Sequence, residues 1–542
     1  MRAKGNIEMK DMEEEGHRFY FSKKMKIILF SLLIVLNLIL RIPFYPHEYG
    51  ADSFEIHILA NSVSQFGHAK WWINPLSFVG LYPYSECSAV PFILSGISQC
   101  TGIDMEKVIL LFCIFLGLLT VFAAYILAGA IWDNDAFKFL VAFGLSTCPA
   151  ILNYLTWTIT MRAPFIGLLP LFAYSLLKSH RYKRFIFLSM VLFALLFLTH
   201  HLAYFLIPVC MGFLIGVIFY KLKNIVCIKA NIPKDAIISA SYMLAFFILF
   251  MIPFQTGHLI ETSSRYEAPI ISLSQNMPRY VGVLYIFVFG GFFYLLFKHD
   301  KKFEEWSLLF IMLFIFPFLY ELTYIKWFAP CFFLPFAGYG LINLLRVNKD
   351  KRKYALFVLI IFLILSVSFS AFYQHWRTKG GVHLFNNYMK DSTYTAGLWI
   401  KENINNGSLI CNGIMMGHRI FATSGVPLFL GDDTVDLTYG YANVSELKLK
   451  SRKITEDAFW MDGPYEMISW ESEIHRKEIL MGSYERYKNS KYSRFNFTHV
   501  IEDKRIHGYF AYHGINPSPF LDYIYNTKGS IYDNGKVCIW SI

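Results

Sequence analysis

Asp52 and Glu55 stand three residues apart at the head of a stretch in which Ile56, Leu59, Val63 and Phe66 recur at helical spacing. The pattern predicts an amphipathic helix over 53–66 lying on a membrane surface, with Asp52 at its N-terminus and Glu55 one turn on. A carboxylate so placed is suited to taking a proton from a hydroxyl, the work of a general base. Asp-x-x-Glu at a helix start is also a capping pair that satisfies free backbone N–H groups, and spacing alone leaves both readings open. His57 follows directly. Trp71 and Trp72 then open a run of aromatics, prolines and glycines that includes Tyr82 and Tyr84. Such rings form an interfacial belt or stack on the apolar C–H faces of sugars.

Basic residues able to meet a phosphate at headgroup depth are few. Arg162 and Lys326 lie near the outer ends of apolar runs, and Arg265 and Arg279 in a loop between two of them. Each also has the plain reading of snorkelling toward lipid headgroups. His200 and His201 are adjacent, so they point in different directions on a helix and make a poor metal pair alone. His201 joins Asp52, Glu55 or His57 only through tertiary contact. Metal dependence stays open, with no cofactor firmly implied and a divalent cation, Mg or Mn, compatible.

The elements that must position these residues are membrane helices. The 542 residues are 55% hydrophobic, 18% aromatic and only 16% charged, against about 25% charge in a soluble domain. Apolar runs occupy about 27–44, 107–131, 137–153, 164–178, 185–200, 203–220, 236–254, 280–297, 307–325, 327–345 and 354–373. That predicts a polytopic α-helical membrane protein of about eleven spans, with Pro149, Pro164 and Pro170 breaking or kinking the third and fourth. A disordered chain, a nucleic-acid-binding domain and a soluble enzyme are excluded.

The net charge of +11 is concentrated in the membrane half. With residues 1–26 placed inside, the cytoplasmic segments hold 24 Lys+Arg and the outer segments seven, a strong orientation signal. The outer face then carries a long first loop (about 45–106), a lid-like loop (about 255–279) and a near-neutral tail, 374–542, read as a globular α/β or α+β domain. The domain reading is thus a cytoplasmic tail 1–26, a transmembrane domain 27–373 and an extracytoplasmic domain 374–542. In the tail, 393–403, 443–458 and 471–488 read as helices, and 408–412, 498–502 and 536–542 as strands. Nine cysteines imply no disulfide framework, although Cys87/Cys100 and Cys411/Cys538 fall outside, where pairing is open. Charged residues are nearly absent from the middle of the spans, where a carrier would need them. That favours an enzyme at the outer boundary over a channel or transporter.

The order of these parts resembles the GT-C superfamily of integral-membrane glycosyltransferases. The stretch Ala51–Gly67 (ADSFEIHILANSVSQFG) resembles the acidic start of its first loop. Lys326-Trp327 through Pro335–Leu341 resembles a late span that begins with an outer cation, and Ala396–Asn403 the helix that follows the last span. The resemblance implies inverting transfer of a sugar from a polyprenyl- or dolichyl-phosphate donor to a cell-surface or lipid-linked glycan acceptor on the external face of the cell membrane. Asp52 would act as base with Glu55 behind it, and Lys326, or else Arg265 or Arg279, would meet the donor phosphate. His57, Trp71, Trp72, Tyr82, Tyr84, Arg162 and His201 would contact sugar or acceptor.

Two alternatives stand beside it. An oligosaccharyltransferase would need a second acidic motif between spans three and four, where Asn153–Arg162 has no carboxylate. It would also carry a tail signature to which Phe459-Trp460-Met461-Asp462-Gly463 is only partly similar. The second alternative is a non-enzymatic flippase or transporter of lipid-linked sugars.

Overall fold

The computed structural model describes residues 19–226, 242–244, 272–298, 301–316, 325–346, 351–379, 388–447, 449–451, 465–467, 471–506 and 519–542. Arg265, most of the 236–254 run and of the 255–279 loop, part of the 307–325 run and the 459–463 string lie outside them.

Helix α1, Lys23–Leu40, starts at Ser22, whose hydroxyl accepts from the Met25 N–H. Helix α2 is Ala51–Phe66, α3 Met105–Ile131, α4 Arg162–Ser179 and α5 Arg352–Thr378. Among the described residues, α3, 203–221 and α5 are each long and apolar enough to cross a bilayer. A fourth crossing arises if Ser274–Val281 and Tyr285–Phe297, bent by 99°, form one span. Gly282, with φ +83°, sits at that bend. Other apolar runs fold as shorter helices divided by Pro or Gly, as where Asp135–Thr147 stops before Pro149. These spans support an integral membrane protein. Large apolar side chains such as Leu32 and Ile39 on α1 and Phe357 and Ile364 on α5 face outward, a surface that lipid covers rather than water.

Inside the bundle, Arg41 is 1% exposed and donates to the Asn37 carbonyl, the Asn37 side-chain oxygen and the Ser146 carbonyl. It fits because Gly117 opposite has no Cβ; one there would lie 2.0 Å from Arg41 Nε. Tyr285–Phe297 and Pro330–Leu344 meet backbone to backbone in the same way. A Cβ at Gly291 would lie 1.7 Å from the Phe336 carbonyl oxygen, and one at Gly340 2.4 Å from that of Phe287.

The tail carries a five-stranded sheet in the order β2-β1-β5-β7-β6. Strands β1 (Leu409–Cys411), β2 (Leu428–Phe429) and β5 (His499–Asp503) are parallel, while β7 (Val537–Ser541) is antiparallel to both β5 and β6 (Ser530–Asp533). Helices α6 (Asp391–Asn403) and α7 (Ile414–Ser424) pack beside it. The expected helix 443–458 is corrected in part: β3, Leu449–Ser451, pairs antiparallel with β4, Tyr465–Met467. The expected 471–488 helix divides into Glu471–Met481 and Tyr484–Lys488, the second capped by Ser483.

Helix α2 has the expected bounds but a different setting. Rather than lying on lipid, it is buried on two sides. Ile56 and Ala60 join the core of the membrane helices, and Phe54, Ile58, Leu59 and Val63 join that of the tail with Ala396, Ile400 and Ile420. Asn61 donates to the Ala422 carbonyl and the Arg419 guanidinium lies 5.7 Å from the Phe54 ring, pinning α7 on α2.

Cys87, Cys100, Cys411 and Cys538 are all free thiols. Strand β5 separates β1 from β7, which puts Cys411 and Cys538 about two strand spacings apart, beyond disulfide reach. Cys87 is packed under the loop, its thiol donating to the Val79 carbonyl, while Cys100 is exposed near the far end of Ala89–Thr101. The close helix crossing supplies a test. Gly291→Val is expected to cost roughly 1–3 kcal/mol or more through overpacking and to lower the melting temperature in detergent. Gly290→Val, where an added Cβ meets nothing within 4 Å, is expected to leave it unchanged.

Candidate active site

Gly50 begins the site. Its φ of +94° turns the chain into α2, and a Cβ there would lie 2.5 Å from Thr158 Oγ1, so the first loop and the 153–162 segment touch at a position only glycine fits. Asp52 falls in the first turn of α2, yet the helix has no side-chain cap. The capping reading is therefore not realised. The Asp52 carboxylate, 51% exposed, instead lies 3.3 Å from Arg162 Nη1. Arg162 opens α4 and is held over the rings of Trp327, at 4.6 Å, and Tyr154, at 5.6 Å.

Beneath Asp52, a buried polar network fixes the start of α2. Glu48, fully buried, accepts from the Ser53 hydroxyl and pairs with His57 Nδ1 at 2.7 Å. Ser53 Oγ in turn accepts from the Ile159 N–H at 2.8 Å. Burial pushes the Glu48 carboxyl up and the His57 ring opposes that. His57 is thus engaged beneath the site instead of facing a sugar.

Three more carboxylates face Asp52. Burial raises Glu55 well above its ordinary value, with Asp432, Glu86 and Asp52 adding to the rise and Arg162 opposing it. Glu86 is pushed up to about 8, again by burial first, then by Asp432 and Asp52, against Arg162. Asp432 comes from the tail, where it caps a short helix through the Val435 N–H and meets His418 Nε2 at 3.3 Å.

The aromatic loop holds Glu86 in place. Trp71, 0% exposed, donates from Nε1 to the Glu86 carbonyl at 3.0 Å and to Ser88 Oγ at 3.2 Å, and Trp72 Nε1 also donates to Ser88 Oγ. Tyr84 is 1% exposed with φ +59°, a strained conformation for a bulky residue and one that clusters at functional sites. Burial leaves Trp71 and Tyr84 no ring face for a sugar. Trp72 remains half-exposed, stacked on Phe92, and Tyr82 is partly exposed.

Asp52 and Arg162 border a cavity of about 200 Å³ shared with Asn153, Thr160, Gln374 and Arg377. Arg377, near the end of α5, donates to the hydroxyls of Tyr280 and Tyr154, both at 3.3 Å, so Tyr154 touches both guanidiniums. Lys326 lies one ring further out, 5.4 Å from the Tyr280 ring and 5.5 Å from that of Trp327. Arg279 stands on the short helix Met277–Val281 next to Tyr280. The His200 and His201 rings lie 4.0 Å apart. Among the described residues, no three His, Cys, Asp or Glu side chains converge as metal ligands.

No family model matches the chain, and no curated protein sequence shows significant similarity to it. Solved structures do match. The oligosaccharyltransferase of Archaeoglobus fulgidus in its apo form superimposes with a TM-score of 0.55 at 11% identity, over 94% of this chain and 73% of that one. The same archaeal enzyme, AglB, in complex with an inhibitory peptide and a dolichol-phosphate gives 0.52 at 12%, over 96% and 74%. ArnT from Cupriavidus metallidurans in the apo state gives 0.52 at 10%, over 96% and 98%. The A. fulgidus enzyme is also known in complex with Zn and sulfate. These neighbours are glycosyltransferases of the GT-C class. The chain has the GT-C fold.

At such low identity the likeness is one of fold. Within the GT-C fold, the structure gathers Asp52, Glu55 and Arg162 with residues that no spacing picked out. Glu86 sits among aromatics without a motif, Asp432 is nearly 400 positions away, and Arg377 falls just past the last apolar run. The raised Glu86 carboxyl has a consequence for stability. An unfolded chain ionises this group near 4.5, whereas the folded one holds its proton to about 8, so its contribution is full below 4.5 and is lost as pH rises through 8. Glu86→Gln is therefore expected to gain melting temperature relative to wild type progressively between pH 5 and 8. A difference independent of pH would contradict the assignment.

Proposed function

We propose that the protein transfers a sugar from a polyprenyl-phosphate donor to a hydroxyl acceptor, with inversion, at the outer surface of the cell membrane. The carrying observation is Asp52, a half-exposed carboxylate fixed by Arg162 at the edge of a polar cavity that also opens beside the last membrane helix. In this reading the chain crosses the bilayer about eleven times, its N-terminus is cytoplasmic and residues 374–542 lie outside. The donor's polyprenyl chain lies in lipid and its headgroup enters from the side of α5. The complex of A. fulgidus AglB with a dolichol-phosphate supports a lipid phosphate as ligand of this fold.

Chemically, Asp52 takes the acceptor O–H proton while the acceptor oxygen attacks the anomeric carbon from the face opposite the phosphate. The bond from the anomeric carbon to the phosphate oxygen breaks, and the lipid phosphate leaves with the electron pair. Base assistance of this kind is typically worth about 10²–10⁴-fold. Arg162 holds Asp52 in orientation, while Glu55 and Glu86, raised by burial, retain their protons beside it. A cation must meet the leaving phosphate; the resemblance implies Lys326, Arg279 or Arg265 for that role, and Arg377 is the further cation that lines the cavity itself.

The test is transfer in liposomes from radiolabelled polyprenyl-phosphate hexoses, with membrane extract as acceptor source. Wild type is expected to transfer label, and Asp52→Asn to fall by about 10²–10⁴-fold while donor binding is retained. Equal transfer by both proteins would remove Asp52 from the chemistry. No transfer from any donor would favour the carrier reading.

A further inference from the structure

The cavity wall away from Asp52 is made of uncharged polar groups with unmet hydrogen-bonding capacity. Asn153 Nδ2 and Thr160 Oγ1 are buried, at 6% and 5% exposure, and have no hydrogen-bond partner among the described residues. Gln374, 1% exposed, lines the same space. Buried polar groups are almost always paired in folded proteins, so unpaired ones lining a cavity mark a place for a polar occupant. The two cations at this cavity differ in their surroundings. Arg162 faces the Asp52 carboxylate, and Arg377 donates to the phenols Tyr154 and Tyr280. Arg377 thus brings positive charge to the membrane side of the cavity, and the wall beside it offers amides and a hydroxyl. A volume of about 200 Å³ is below the roughly 300–1,000 Å³ of sites for larger ligands, and suits one sugar ring better than an oligosaccharide.

We propose that this cavity seats a single neutral sugar ring of the donor, read by Asn153, Thr160 and Gln374, with its lipid-linked phosphate on Arg377. The inference rests on the glycosyltransferase reading and narrows it to a monosaccharide donor without a charged ring substituent. A uronate carboxylate in the same place would face amides and a hydroxyl, while the neighbouring Arg162 is already committed to Asp52.

The test measures binding to the full chain in nanodiscs. The probes are sugar-free polyprenyl phosphate, a polyprenyl-phosphate neutral hexose, the corresponding uronate, and inorganic phosphate. Wild type is expected to bind the neutral hexose lipid about tenfold more tightly than the sugar-free lipid, the gain from one or two net hydrogen bonds. It should show no such gain for the uronate, and inorganic phosphate should compete weakly. Asn153→Ala and Gln374→Leu should lose the hexose gain while keeping sugar-free affinity, which also shows that they fold. Arg377→Met should weaken all three lipids about equally, by tenfold or more, and Arg377→Lys should recover part of the loss. Equal affinity for hexose and sugar-free lipid, as for a cavity filled by water only, would overturn the inference alone, as would a hexose gain that survives in both amide variants. Competition by inorganic phosphate as strong as by the lipid would point to a soluble sugar phosphate and overturn the lipid-linked assignment. Failure to bind any polyprenyl phosphate would overturn the glycosyltransferase reading as well.

Discussion

Helix α2 is buried on both sides, and that double burial links the two parts of the chain. Ile56 and Ala60 pack into the membrane helices while Phe54, Leu59 and Val63 pack into the tail. Apolar burial is non-directional and would by itself let the helix slide or rotate. Direction comes from the polar network under its first turn, where Glu48 is tied to Ser53 and His57 and Ser53 to the Ile159 N–H. A second tie runs outward through His47, which lies 3.2 Å from Glu106 of α3 and 3.3 Å from Asp391 of α6. Together they fix where the first turn of α2, and hence Asp52, faces.

The second constraint is electrostatic. Four carboxylates, two from α2, one from the aromatic loop and one from the tail, share one electrostatic neighbourhood with the Arg162 guanidinium. Like charges in a partly buried site cannot all ionise at neutral pH, so the cluster retains protons there, as the raised Glu55 and Glu86 show. The strained Tyr84 and the three indole hydrogen bonds explain how the loop holds a carboxylate against that repulsion. The tail contributes Asp432 as well as packing surface, which gives it a part in the site beyond support.

Much of this was legible in the residues. The period of Ile56, Leu59 and Val63 gave α2 to within two residues. The expected strands at 408–412 and 498–502 fall on β1 and β5. The setting of α2 was not legible, because a helix that is apolar on two faces has the same period whether lipid or protein covers it. The role of Trp71 was hidden for a related reason: an indole that buttresses a loop and one that stacks on a ligand look identical in sequence. Glu86, Asp432 and Arg377 belong to the site only through tertiary contact, and no local spacing encodes that. Pro149 and Gly282 interrupt helices within apolar runs without lowering local hydropathy.

The central claim is that the space bounded by Asp52, Arg162 and Arg377 is where a lipid-linked sugar is held for attack. A cryo-EM structure with a non-hydrolysable polyprenyl-phosphonate sugar tests it directly. The account predicts the phosphonate against Arg377, the ring between Asn153 and Gln374, and the anomeric carbon facing Asp52. A headgroup found outside that space, with the cavity holding only water, would contradict it.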